Sequence, residues 1–160
     1  MLNITLACIG KLKESYLRDG VTEYVKRLTP YCKLNILELE ESRMPDTPSD
    51  SQIASVLADE GKRILSKIPA TAHVIALCIE GSMISSEDFG QYLDKITVNG
   101  NSHIVLVIGG SWGLSPEVKK RADFKLSLSR MTFTHQIARM LILEQLYRAF
   151  QINHKGKYHK

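Results

Sequence analysis

Groups capable of chemistry gather near the carboxyl end of the chain. His154, Lys155, Lys157, Tyr158, His159 and Lys160 follow one another with only Gly156 among them and no acid. Ammonium groups anchor phosphates, an imidazole exchanges protons near neutral pH, and a phenol positions a partner by hydrogen bonding. Such a set suits an anionic polymer and proton transfer, although a chain end can also be a plain solubilising tail. A second group is the turn Gly109, Gly110, Ser111, Trp112, Gly113. Its glycines let backbone N–H groups approach a ligand closely. The spacing is neither the G-x-G-x-x-G of a dinucleotide site nor a Walker loop, which ends in Gly-Lys-Ser/Thr. Trp112 is either a lid or stacking surface for a ligand or an aromatic left partly exposed. A third group spans residues 126–133, where hydroxyls and free backbone groups can line a polar pocket or simply form a capped connection. The five histidines show no i, i+4 pair and no cysteine pair at ligand spacing, so no metal site is expected. No Ser-His-Asp arrangement with a nucleophile elbow occurs.

These groups need a scaffold, and hydrophobic periodicity describes one. Strands are predicted over 2–9, 34–39, 74–79, 104–108 and 124–128. Helices are predicted over 13–28, from Ser49 to about 68, from Ser85 or Ser86 to about 96, from Ser115 onward, and over 136–152. Ser49 with Gln52 is a capping box, and Ser115-Pro116-Glu117 combines a cap, a first-turn proline and an early acid. Residues 40–48 are polar, carry two prolines and read as an exposed loop. Strands that alternate with helices and are apolar on both faces imply an α/β fold, a parallel sheet covered by helices on both sides. Ligands of such sheets sit beyond the carboxyl ends of the strands, which singles out the loops at 80–82, 109–113 and 127–133.

The last helix has two apolar sides. Ile142, Leu143, Leu146, Tyr147, Ala149 and Phe150 form one broad face, and Ile137 and Leu141 lie opposite, near Glu144 and Arg148. A helix buried twice over points to a homodimer interface, or to a central helix covered within one chain. Arg139 falls inside the main apolar face and requires an acid or a ligand carboxylate.

Composition limits the classes. The chain has 160 residues, 44% hydrophobic and 24% charged, which suits one domain over 1–160 with a sizeable core. A net charge of +4 and a pI near 9.0 permit nucleic acid as a partner without requiring it. Three cysteines, Cys8, Cys32 and Cys78, fit a reduced, cytoplasmic compartment. No apolar run approaches a membrane span, and the amino-terminal run lacks the basic start of a signal peptide.

Ile108-Gly-Gly-Ser, Ser129-Arg-Met-Thr-Phe133, Glu144-Gln-Leu-Tyr-Arg-Ala149 and the terminal Tyr158-His159 pair together resemble one family. It is the bacterial large-subunit ribosomal RNA methyltransferase that modifies N3 of a pseudouridine, in the SPOUT superfamily. The resemblance runs the length of the chain and includes Gly10-Lys-Leu-Lys13 and Tyr24-Val-Lys-Arg-Leu28. It implies S-adenosylmethionine as methyl donor, a trefoil knot near the carboxyl end, an obligate homodimer and 23S ribosomal RNA within the ribosome as substrate. Carried over by position, Leu77, Gly109 and the run Leu128, Ser129, Arg130, Met131, Thr132, Phe133 would hold the cofactor. Arg148, Tyr158 and His159 would face the RNA, with His159 the candidate base and Tyr158 a positioning group. Two departures stand out: Thr134 replaces a proline usual in the family, and Trp112 replaces a smaller residue. Two other readings remain open on the residues alone. One is a non-catalytic RNA-binding dimer using the same tail. The other is a phosphate-binding α/β enzyme, against which the missing phosphate-loop lysine counts.

Overall fold

Strands apolar on both faces can be buried only if helices cover both sides. The computed structural model describes residues 1–160 and has this architecture. In chain order the elements are β1 (Leu2–Ile9), α1 (Ser15–Leu28), β2 (Cys32–Leu39), α2 (Asp50–Ser66), β3 (His73–Ser82), α3 (Ser86–Val98), β4 (His103–Ile108), α4 (Pro116–Arg121), β5 (Phe124–Leu126) and α5 (His135–Asn153). The five strands form one parallel sheet in the order β2-β1-β4-β3-β5. Alternation along each strand divides the core. Ile4, Leu6 and Cys8 of β1, with Ile104, Leu106 and Ile108 of β4, face α1, α3 and α5. Ala7, Ile9, Val105 and Val107 face the opposite side, where Ile64 of α2 and Val118 of α4 cover them.

The predicted elements are all present, with boundaries moved for identifiable reasons. α1 begins at Ser15 rather than 13, because the Arg18 guanidinium donates to the carbonyls of Leu12 (3.2 Å) and Lys13 (2.7 Å) and holds them outside the helix. β5 stops at Leu126 rather than 128: the Ser127 hydroxyl donates to the Ser129 carbonyl (3.0 Å), which curls the chain away. β3 is longer than predicted. It runs past Leu77 through an irregularity, and the Ser82 carbonyl then accepts from the N–H of Ser127 at 2.9 Å. This return needs Gly81, where a Cβ would lie 2.7 Å from the backbone carbonyl carbons of Lys125 and Leu126. α2 carries the predicted capping box, with Ser49 and Gln52 each bonding the other's backbone N–H.

α5 lies between α1 and α3 with its main face on the sheet, and Ile142, Leu143 and Leu146 are fully buried. Beside that face, Met140 fills the space over Gly20 of α1, and Tyr147 meets Tyr24 of α1 and Tyr31; Ile137 and Leu141, the second apolar side, are half-buried.

Candidate active site

The carboxyl-end half of β3 and the loops leaving β4 and β5 enclose a cleft of about 840 Å³, with the starts of α1 and α5 as further walls. Its size suits a ligand larger than a simple metabolite, and its lining is about half hydrophobic, as nucleoside-sized sites are. Leu77 and Gly109 line it, as do Leu128, Ser129, Met131, Thr132 and Phe133. Arg130 alone of the expected cofactor residues does not; it points to solvent. Gly109 is required because the turn doubles back on itself. Gly110 and Gly113 form an isolated antiparallel bridge, and a Cβ on Gly109 would stand 2.2 Å from the Gly113 carbonyl oxygen. The Ser129 hydroxyl accepts from the Met131 N–H at 3.0 Å and shapes the opposite wall. Met131, Phe133 and Trp112 expose 75%, 42% and 51% of their surface, so the rim presents large apolar side chains to whatever enters.

Thr134, in place of the family's usual proline, caps α5: its hydroxyl accepts from the Ile137 N–H at 3.2 Å. The helix start is therefore fixed by a hydrogen bond instead of a ring. One turn on, Arg139 is 1% exposed, and its partner is an acid of the chain itself, Glu38, at 2.6 Å. The guanidinium also donates to the Gly10 carbonyl at 3.2 Å, while its Nε has no partner. Glu38 in turn accepts from the Leu12 N–H at 3.3 Å, so one carboxylate joins β2, the β1–α1 loop and α5.

The tail forms a cluster of its own. The Tyr158 hydroxyl donates to Glu144 at 3.1 Å, and the Tyr158 ring lies against the Arg148 guanidinium (4.8 Å) and Tyr147 (4.8 Å). Arg148 donates to Glu144 and, at 3.1 Å, to Nδ1 of His159. Because guanidinium only donates, Nδ1 is an acceptor there, and Nε2–H of His159 donates to Glu87 at 2.6 Å. Burial, then hydrogen bonding with Tyr24 and Glu144, pushes the Tyr158 phenol up to about 12, so it stays protonated and acts as a donor at neutral pH. The structure thus brings Arg148, Tyr158 and His159 together, but none of them lines the cleft. The cleft ends at Ala138, and Arg148 lies nearly three turns further along α5, about 15 Å at 1.5 Å per residue.

Among the lining residues that had no place in the sequence-based site are the ionisable Glu14, Lys119 and His135. Helix-start position hinted only at His135. Burial lowers the proton affinity of its imidazole, against an opposing pull from Glu41. Burial raises all three cysteine thiols, Cys8 up to about 12 and Cys32 up to about 11, which disfavours the reactive thiolate. No three His, Cys, Asp or Glu side chains gather as a metal site would need, and no helix is long and apolar enough to cross a membrane.

A parallel sheet with a cleft at the carboxyl ends of its strands is a common setting for a ligand site, and comparison specifies the class. A family model described as a predicted SPOUT methyltransferase matches residues 2–159. The chain is 52% identical over 159 residues to ribosomal RNA large subunit methyltransferase H 1 of Clostridium perfringens, covering 99% of this chain and 100% of that one. It is 49% identical to ribosomal RNA large subunit methyltransferase H of Clostridium acetobutylicum and 47% identical to that of Clostridioides difficile, with the same coverage. The chain belongs to this family, the large-subunit ribosomal RNA methyltransferase H group of the SPOUT superfamily, and it is a methyltransferase. A probable methylase family protein from Haemophilus influenzae Rd KW20 has a similar fold, with a TM-score of 0.57 at 15% identity over 99% of this chain and 71% of that one.

Proposed function

We propose that this chain methylates N3 of a pseudouridine in 23S ribosomal RNA, on assembled ribosomes in the cytoplasm, as a homodimer of one-domain chains using S-adenosylmethionine. The observation that supports this most is the cleft. Seven of the eight residues expected from family resemblance to hold the cofactor line it together, although they come from three separate segments of the chain. Its lining fits the group: Leu77, Leu128 and Ile108 offer apolar surface to a purine, and the turn at Gly109 presents backbone groups. When bound, S-adenosylmethionine supplies an already activated methyl group. The work left to the protein is alignment, exclusion of water and removal of the N3 proton. The rim residues Trp112, Met131 and Phe133 exclude water. His159 takes the N3 proton through its acceptor nitrogen once that nitrogen leaves Arg148. Arg148 then faces the developing negative charge, with Tyr158 as a positioning donor. The modest net charge of +4 suits a folded ribosomal substrate that contributes contacts of its own. A non-catalytic RNA-binding dimer leaves the cleft without a purpose.

We read the carboxyl-terminal part as the superfamily's trefoil knot, against the general rule that chains do not thread. Support comes from the close approach at Gly81, where the irregular end of β3 packs on the backbone of β5 just before the chain continues into the 127–134 loop.

The separation between tail and cleft within one chain supports an active site shared across the dimer, with the tail of one protomer entering the cleft of its partner. Mixing subunits tests this. One parent lacks residues 154–160 and the other carries a Gly109 substitution, so each homodimer is inactive. Mixed dimers are expected to recover activity, because one cleft in each keeps both an intact turn and an intact partner tail. Failure to recover any activity would place tail and cleft on the same chain.

A further inference from the structure

We propose that Glu80 and Lys119 form the subsite for the amino-acid end of the methyl donor, Lys119 receiving its α-carboxylate and Glu80 its α-ammonium. The inference rests on the cofactor reading above and adds to it a part of the site that neither motif nor resemblance designates. Lys119 is the sole ammonium in the cleft wall. Arg130, the cation expected from the 128–133 run, points to solvent, so no other permanent cation is in place to meet a carboxylate. Glu80 is bonded directly to Lys119; it lies near the carboxyl end of β3, and Lys119 stands on α4 just after the glycine turn. A zwitterion needs both signs side by side, and this is the one place on the wall that offers them. Elsewhere on the wall the only other ionisable or amide side chains besides hydroxyls and the Cys78 thiol are Glu14, His135 and Gln136, none of them a permanent cation.

Both groups stand on fixed backbone. Next to Lys119, Val118 is fully buried, and the Lys119 N–H itself bonds the Ser115 carbonyl at 3.1 Å. Next to Glu80, Gly81 is pinned against β5. The side chains themselves remain accessible, Lys119 at 31% and Glu80 at 46%. An ion pair this open adds little to folding, so the fold does not explain its presence. It can exchange its mutual contact for two contacts with a ligand of complementary charge. The Lys119 ammonium also holds the Glu80 carboxyl below its usual range, so the carboxylate is ionised whenever a ligand ammonium arrives.

The test uses two ligands that differ only by the amino-acid end: S-adenosylhomocysteine, and 5′-methylthioadenosine, which lacks it. Calorimetry on the full chain is run with wild type, Lys119→Met and Glu80→Gln, with thermal unfolding as a check of folding. Wild type is expected to prefer S-adenosylhomocysteine. Each variant should lose about tenfold in affinity for it, the scale of one charge-assisted hydrogen bond. Affinity for 5′-methylthioadenosine should be unchanged. Equal losses for both ligands, or no loss for either, would overturn the subsite and leave the cofactor reading standing. Absence of binding by wild type at millimolar concentrations of both would remove the cofactor reading and the subsite with it.

Discussion

Glu38→Ala is expected to destabilise the protein by about 3 kcal/mol. Arg139 is 1% exposed, and its Nε already lacks a partner. Without Glu38 the guanidinium keeps one bond, to the Gly10 carbonyl at 3.2 Å. Breaking a buried pair from one side costs roughly 3–5 kcal/mol. Glu38 is 36% exposed on its own side, so water reaches the vacated position and the lower end of that range applies. Urea unfolding is the measurement. The double variant Glu38→Ala, Arg139→Met should recover most of the loss, because it removes the stranded charge as well. A loss below about 1 kcal/mol for Glu38→Ala would mean that the pair does not hold α5 in place. The change also bears on function. Arg139 sits one turn beyond the helix start that forms the cleft wall, so loosening it loosens His135 and the residues before it.

Gly109→Ala is expected to reduce methyl transfer about 100-fold or more, since displacements near 1 Å in a site cost that much. Its Cβ would lie 2.2 Å from the Gly113 oxygen and 2.5 Å from the Gly113 carbonyl carbon, and neither backbone atom can rotate away as a side chain would. The turn must open, shifting Gly110, Ser111 and Trp112 along one wall. Calorimetry with S-adenosylhomocysteine reads the effect apart from RNA binding. Near wild-type affinity would show that the turn takes no part in holding the cofactor.

Much of this architecture was legible in the residues. Strands apolar on both faces implied the two-sided sheet, and the serine caps of α2, α3 and α4 stand where the motifs placed them. The loops singled out at 109–113 and 127–133 do converge on one cleft, and Glu80 joins them, although residues 80–82 belong to β3 rather than to a loop. What was not legible depends on contacts between distant segments. Arg139 announced that it required an acid, but Glu38 lies 101 residues away, and only the placement of β2 and α5 brings them together. Lys119 carried no signal in the sequence; its position in the cleft follows from the packing of α4 against β3. The return of β3 to Ser82 was hidden as well, because a polar Glu-Gly-Ser sequence after an apolar run reads as the strand's end. The tail residues were recognised as a group, and they do cluster, yet their distance from the cleft is a property of where α5 lies rather than of its composition.

The most direct measurement of the central claim is methyl transfer itself. Ribosomes carrying an unmethylated pseudouridine are incubated with the protein and isotope-labelled S-adenosylmethionine, and the labelled nucleotide is mapped by mass spectrometry. The account predicts one labelled methyl per 23S RNA, on N3 of a pseudouridine. Absence of label in 23S RNA, or label on another position, would contradict it.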